Sequence, residues 1–257
     1  MNQSDFRLYS RQDHAFELDD LKQGAVHLWH LSLDAAESHG KFGPAAALTP
    51  EERARAARIQ REPIRQRFVS ARILLRTILG RYLRCPPETL TFELGEHGKP
   101  RLAGTRPDHG LVFNVSHTGK ELAVALAFNA QLGVDIEAWR PIEDCSALAA
   151  RCLAPAELGH WNNLLEEERL PAFFRLWTLK EAFCKAVGRG LALGLQQCVF
   201  DCSAPEPVLL AWPRQHTEPE RRWHFYEIAN LSSTSGAIAC DRAAKSLLRF
   251  DSTSICA

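Results

Sequence analysis

Two carboxylates separated by one apolar residue, Asp135 and Glu137 in Gly133-Val134-Asp135-Ile136-Glu137, are the first side chains in this sequence whose types and spacing point to chemistry. On a strand they project from one face while Val134 and Ile136 enter a core. Neighbouring acids repel, so they share a proton, pair with basic side chains, or bind a hard cation such as Mg²⁺, which prefers oxygen ligands and keeps waters and phosphates in its shell. A solvated acidic strand end before Trp139-Arg140-Pro141 would leave the same pattern. A second cluster, Lys180, Glu181 and Lys185, lies in Trp177-Thr178-Leu179-Lys180-Glu181-Ala182-Phe183-Cys184-Lys185. Glu181 and Lys185 have the i, i+4 spacing of an ordinary helical ion pair. Yet Glu181 shares its helical line with Phe174 and Trp177, so its carboxylate is expected to be partly buried and to need a partner. A metal shared with Asp135 and Glu137 would supply one, leaving Lys180 and Lys185 to face phosphate oxygens.

Three further segments could handle anions. Phe113-Asn114-Val115-Ser116-His117-Thr118-Gly119 ends a strand in hydroxyls, an imidazole and a glycine, which suits either an anion or a plain hairpin turn. Gly98-Lys99-Pro100-Arg101 is a tight basic turn. Ten arginines lie from Arg53 to Arg84 against one acid, Glu62. They read as a solvated helix face, an RNA-binding stripe, or a set from which one or two reach a nucleotide phosphate.

These groups must be positioned by an α+β architecture. Thr49 as N-cap, Pro50 at N1 and Glu52 at N3 predict a capped helix running to about Gln60. Pro63 opens a second one, apolar at Phe68, Ala71, Leu74, Leu75, Ile78 and Leu79, that Gly80 is expected to stop. The later part of the chain has a similar plan, with helices starting at Pro155 and Pro171 and the latter ending at Gly188. A constant shift of 108 positions carries Arg67 onto Arg175 and Phe92 onto Phe200, hinting at an internal duplication. Between the long helices, LVFNVSH, ELAVALAF and QLGVDIEAW read as an antiparallel meander. A matching pair, RWHFYEIAN and SGAIACD, follows a Pro-rich stretch from Pro205 to Pro219. Two similar helix-plus-antiparallel-sheet halves are therefore expected, 1–131 and 132–257.

The 257 residues suffice for such a core, and 31 basic against 31 acidic side chains argue against binding nucleic acid or an anionic membrane by bulk charge. No signal-peptide pattern and no spanning apolar run are visible, so a cytoplasmic protein is expected. The eight cysteines, Cys85, Cys145, Cys152, Cys184, Cys198, Cys202, Cys240 and Cys256, show no zinc-ligand CxxC spacing and read as reduced, packed thiols.

Taken in order, GKPRL, FNVSHTG, GVDIE and LWTLKEAFCKAVGRGL resemble the 4′-phosphopantetheinyl transferase family, in its larger pseudo-dimeric type that includes the surfactin-synthetase activator. The resemblance spans roughly residues 48 to 191. It implies Mg²⁺-dependent transfer of the phosphopantetheine arm of coenzyme A to a serine of an apo acyl or peptidyl carrier protein, releasing adenosine 3′,5′-bisphosphate. By similarity, Asp135, Glu137 and Glu181 hold the metal, and Glu181 or a water beside it is the base. Lys185 is the diphosphate-binding lysine and Lys180 its companion. Ser116 and His117 contact cofactor phosphates, Lys99 and Pro100 form the turn around the adenine, and Arg67 holds the 3′-phosphate, with Arg61, Arg65 and Arg72 as substitutes. Thr118 replaces the more usual serine. A monomer is expected. The rival from another class is an arginine-rich nucleic-acid-binding module; a different Mg²⁺-dependent phosphoryl transferase lacks a G-x-x-x-x-G-K-[ST] loop to cradle its nucleotide.

Overall fold

The computed structural model describes residues 7–8, 18–33, 47–104, 110–204, 206–213, 222–229 and 233–251. Cys256, Pro205 and residues 214–219 of the Pro-rich stretch lie outside them. The other seven cysteines are free thiols.

The helix ends follow capping chemistry, with corrections. Helix α1 (Leu18–Lys22) is a single short turn. In α2 (Pro50–Ala57) the Thr49 hydroxyl accepts from the Glu52 N–H at 3.2 Å and the Glu52 carboxylate accepts from the Thr49 N–H at 3.1 Å, closing the predicted capping box. This helix stops at Ala57, short of Gln60. Helix α3 (Glu62–Leu83) runs through Gly80 instead of ending there. A Cβ at that position would lie 2.8 Å from the Cys85 carbonyl oxygen, so the glycine admits the returning chain, and Arg84 in a left-handed conformation (φ 51°) ends the helix. Helices α4 (Cys145–Cys152) and α5 (Pro155–Asn162) precede α6 (Glu166–Val187). The expected start of α6 at Pro171 is corrected too. The Leu165 N–H donates to the Glu168 carboxylate at 3.2 Å, and Glu166, Glu167 and Glu168 favour the positive end of the helix dipole, so the helix begins before the proline. Pro171 removes one bond from the ladder without breaking it. Gly188 (φ 79°) ends α6 as expected.

Helices α3 and α6 both have 22 residues and correspond at a shift of 104 positions, one turn away from the shift of 108 read in the sequence. Their left-handed caps, Arg84 and Gly188, coincide at 104 as well. Each half repeats one buried device: a glutamate at N3 behind a proline, accepting the N-cap N–H and gripping a cation of the long helix. Arg76 Nε donates to Glu52 at 2.8 Å, and Lys180 Nζ to Glu157 at 2.5 Å. Past the helices the shift of 108 holds, with Phe92 and Phe200 both in strands.

The strands form two main sheets. The first has the order β1 (Arg7–Leu8), β12 (Ser246–Phe250), β2 (Ala25–Ser32), β6 (Glu121–Phe128), β5 (Leu111–Thr118); the second, β10 (His224–Glu227), β11 (Thr234–Cys240), β7 (Leu132–Ala138). Two small hairpins pair β3 (Phe92–Leu94) with β4 (Pro100–Leu102) and β8 (Val199–Asp201) with β9 (Val208–Ala211). The expected meander is corrected at its third strand: β5 and β6 pair antiparallel, but β7 leaves to pair with β11. Strand β12 pairs parallel with both β1 and β2, so the first sheet is mixed, and a division at residue 131 does not account for that strand.

The layers run α3, first sheet, second sheet, α6. Leu74, Ile78 and Leu79 of α3 pack on Trp29, Phe113 and Val124; Phe173, Leu179 and Phe183 of α6 pack on Phe225, Ala237 and Ala239. Between the sheets, Leu28, Ala123 and Ala125 meet Val134, Ile136 and Ile238. Deep in the first core, His27 Nδ1 lies 2.6 Å from the Tyr82 hydroxyl. Burial lowers the His27 pKa from 6.5 to about 3. The unfolded chain therefore takes up this proton first, and stability is lost as pH falls from 6.5 towards 3, by on the order of 5 kcal/mol at the limit. Urea midpoints measured across that range should fall with pH, and the slope should flatten in His27→Gln.

Candidate active site

Strands β5 and β7 are edge strands of different sheets and meet side by side. Asn114, Ser116 and Thr118 lie at alternate positions of β5, on the face away from Phe113 and Val115. The Asn114 Oδ1, Ser116 Oγ and Thr118 Oγ1 atoms accept the backbone N–H groups of Val134 (2.8 Å), Ile136 (3.3 Å) and Ala138 (3.0 Å). Side chains thus complete the free edge of β7, where a backbone ladder would otherwise be required. Asp135 and Glu137 stand on the intervening residues.

Each of these carboxylates is held through one oxygen. Asp135 Oδ1 accepts from Ser116 Oγ at 2.8 Å and Lys185 Nζ at 2.7 Å; Glu137 Oε2 accepts from Thr118 Oγ1 at 3.3 Å and Arg140 Nη1 at 2.9 Å. The second Asp135 oxygen, Oδ2, is buried without a hydrogen-bond partner among the described residues. Burial raises the Asp135 pKa against the opposing pull of Lys185. Glu181, half-buried on α6, has a pKa raised by burial and then by the Asp135 charge, with Glu137 adding to it. No hydrogen bond or ion pair engages its carboxylate among the described residues.

What brings α6 this close is Gly133. A Cβ there would fall 2.0 Å from the Ala182 carbonyl oxygen and 2.5 Å from the Ala186 nitrogen, so the strand backbone lies directly on the helix. The glycine was visible in the sequence as part of the motif, but nothing local announced this approach.

The donor set suits a divalent cation: hard oxygens, one of them buried and orphaned, and a desolvated glutamate whose charge two other acids disfavour. Among the described residues no three His, Cys, Asp or Glu side chains are already gathered into a metal cage. Lys185 and Arg140 supply the positive charge instead.

The remaining residues divide sharply. A cleft of about 470 Å³ between α2, α3, β4 and β5 collects Arg67, Pro100 and His117, with Arg55 and Arg72 lying 5.3 and 5.6 Å from the Phe68 ring centroid. Lys99 does not reach that cleft: its ammonium donates to the carbonyls of Leu132 (2.8 Å) and Ala186 (3.1 Å), and burial lowers its pKa to about 8. It lines a neighbouring cleft with Pro100 and Gly188. Ser116 faces the β7 seam, opposite His117, and its hydroxyl is bonded to Asp135, Lys185 and the Ile136 N–H. The arginine stripe is likewise dispersed. Arg53 bonds the Leu48 carbonyl, Arg65 pairs with Glu62, and Arg76 is 2 % exposed, bonded to Glu52, Pro87 and Leu90.

Lys180 requires the clearest correction. It is 0 % exposed, and its ammonium donates to Glu157, the Cys152 carbonyl (3.1 Å) and the Leu195 carbonyl (3.0 Å), using all three protons inside the second core. No donor remains for a phosphate. Glu157, absent from the sequence reading, also accepts the Phe200 N–H at 2.8 Å; its place at N3 behind Pro155 was the available signal. Lys180→Met should therefore destabilise the fold by roughly 3 to 5 kcal/mol by stranding the Glu157 charge. Urea denaturation checks the magnitude, and the double change with Glu157→Gln should recover much of the loss.

Residues 131–241 match a family model described as the 4′-phosphopantetheinyl transferase superfamily, and residues 38–129 match one described as 4′-phosphopantetheinyl transferase, N-terminal. The 4′-phosphopantetheinyl transferase HetI of Nostoc sp. is 37 % identical over 214 residues, covering 83 % of this chain and 86 % of that protein. A putative 4′-phosphopantetheinyl transferase of Synechocystis sp. is 40 % identical over 159 residues, 62 % of this chain and 64 % of the relative. The 4′-phosphopantetheinyl transferase Sfp of Bacillus subtilis is 28 % identical over 171 residues, 66 % and 73 % of the two chains.

Proposed function

The chain belongs to the 4′-phosphopantetheinyl transferase superfamily and transfers the phosphopantetheine arm of coenzyme A to carrier proteins, and from that premise we propose how its own residues divide the work. The observation that carries the reading is the seam, where Asp135, Glu137, Glu181 and Lys185 converge from β7 and α6 beside a cleft containing Arg67 and His117.

The reaction forms a bond between the carrier serine oxygen and phosphorus, and breaks the bond from that phosphorus to the departing adenosine 3′,5′-bisphosphate. Asp135 through Oδ2, Glu137 and Glu181 would hold Mg²⁺, which when bound supplies charge neutralisation for the diphosphate and the leaving group. Glu181, or a water beside it, takes the serine proton; its desolvated carboxylate has no competing partner among the described residues. Lys185, 27 % exposed and bonded to Asp135 at rest, is free to turn its ammonium to a diphosphate oxygen once another cation balances that acid. Arg67 and His117 face the cleft and bind the 3′-phosphate side of coenzyme A, with Arg55 and Arg72 available beside them. Pro100 and Lys99 shape the turn against the adenine; Lys99 acts by fixing its hairpin to β7 and α6, since its ammonium is held by their carbonyls.

A nucleic-acid module is the weaker reading, because the arginines that would form its stripe serve separate contacts. No described helix is long and apolar enough to cross a membrane. A cytoplasmic monomer, with its two halves supplying what two subunits otherwise would, completes the proposal.

Incubation with coenzyme A, Mg²⁺ and a panel of apo acyl and peptidyl carrier proteins, followed by intact mass, should show one carrier or more gaining a phosphopantetheine. No gain on any of them, with the protein folded, would overturn the reading. Arg67→Ala should raise the KM for coenzyme A about tenfold, the loss of one charge-assisted contact, with a smaller change in kcat. An unchanged KM would move the 3′-phosphate to Arg55 or Arg72.

A further inference from the structure

The β5 ladder treats its rungs unequally. Asn114 only accepts, from Val134 N–H. Ser116 and Thr118 each accept one backbone N–H of β7 and each donate their own hydroxyl proton to the acid beside it, Asp135 for Ser116 and Glu137 for Thr118. A hydroxyl has one proton and two lone pairs. With the Ala138 N–H at 3.0 Å occupying a lone pair of Thr118, its proton is directed elsewhere, and Glu137 Oε2 lies 3.3 Å away. Arg140 Nη1 donates to that same oxygen at 2.9 Å. Oε2 is thus held twice, while Oε1 has no partner among the described residues.

We propose that Thr118 is a positioning residue for the metal-binding carboxylate Glu137: its hydroxyl, oriented by the Ala138 N–H, ties down Oε2 and presents Oε1 to the cation. This rests on the Mg²⁺ reading above. The two halves of the molecule meet at this contact, because Thr118 ends β5 of the first sheet and Glu137 lies on β7 of the second. Thr118 is 8 % exposed, so the hydroxyl is shielded from water that could take over its bond. Partners that orient a metal ligand from behind typically control affinity by roughly ten- to a hundredfold.

The test uses the full chain without coenzyme A and Mn²⁺ as probe, titrated by electron paramagnetic resonance, in the parent protein and in Thr118→Val, Thr118→Ser and Glu137→Gln. Thr118→Val keeps the shape and removes the hydroxyl, and is expected to weaken Mn²⁺ binding roughly tenfold or more. Thr118→Ser should restore affinity to near the parent value, and in turnover assays Thr118→Val should raise the Mg²⁺ requirement more than it lowers kcat at saturating metal. A residue serving only the Ala138 rung would lower the thermal midpoint and leave Mn²⁺ affinity unchanged, which would overturn the proposal. If Glu137→Gln weakens Mn²⁺ and Thr118→Val does not, the positioning role fails while the metal site stands. Should the parent bind no Mn²⁺, or Glu137→Gln bind it equally well, the metal reading itself fails. Were Thr118→Val to misfold, Thr118→Ser against Thr118→Ala decides the same question.

Discussion

Glu181→Gln is expected to lower kcat about a thousandfold or more while leaving the fold intact. The substitution preserves volume and one carbonyl oxygen but removes the negative charge that a cation would need and the basicity that a serine proton would need. Burial and the charge of Asp135 already raise the Glu181 pKa, so its ionised form is disfavoured in the folded state. The sign for stability follows. Such an acid favours the fold most when protonated and less as pH rises through its folded pKa. A neutral glutamine should therefore leave the thermal midpoint of the metal-free protein at neutral pH equal to or above that of the parent. Intact-mass time courses on a carrier measure the first effect and thermal unfolding the second. Near-normal turnover would remove Glu181 from the roles of ligand and base, and a lowered midpoint would contradict the electrostatic account.

Gly133→Ala should be nearly as damaging from a position that touches no reacting atom. The added methyl would lie 2.0 Å from the Ala182 carbonyl oxygen and 2.5 Å from the Ala186 nitrogen, both main-chain atoms of α6. Neither can rotate away, so helix and strand must separate by about 1 Å or more to reach ordinary contact distances. Overpacking of this kind costs roughly 1 to 3 kcal/mol, and a misplacement of about 1 Å can cost about a hundredfold in rate. The shift would move Glu181 and Lys185 away from Asp135 as one body. Gly159→Ala is the matched control, since nothing lies within 4 Å of a Cβ on that exposed helical glycine. It should be neutral or slightly stabilising. Equal effects from the two substitutions would mean that the close approach at Gly133 does not position the site.

Much of this site was legible because its motifs obey local rules. The D-x-E alternation does place Asp135 and Glu137 on one face of a strand, opposite Val134 and Ile136, and Thr49, Pro50 and Glu52 do cap a helix. Helical geometry could also have separated the two lysines, which the sequence reading set together against phosphate: Lys185 shares the face of Glu181 at i+4, whereas Lys180 is turned about 100° from it, towards the core. What was hidden depends on contacts distant in sequence. Gly80 and Pro171 carry the letters of helix ends, yet one makes room for Cys85 and the other sits inside a helix already begun by Leu165 and Glu168. The hydroxyls of Ser116 and Thr118 read as anion-binding or hairpin-turn residues, and only the arrival of β7 turns Asn114, Ser116 and Thr118 into a seam. Strand β2 went unread because five of its first residues are buried in succession, His27 among them, which erases the period of two. The separate fates of the arginines were equally invisible, since they depend on where Glu52, Leu90 and Phe68 come to rest.

The parallel placement of β12 between β1 and β2 orders the assembly of the chain in time. During synthesis, all three strands of the second sheet have been made once Cys240 has emerged, whereas β2 still presents an open edge and Trp29 still lacks the Phe250 ring that stacks 4.8 Å from it. The half that is made first is the half that must wait, because its sheet is closed by residues 246–250. Such long sequence separation slows closure and leaves an edge exposed meanwhile. The sheet that backs the arginine-lined half therefore stays unclosed until residues 246–250 have been made.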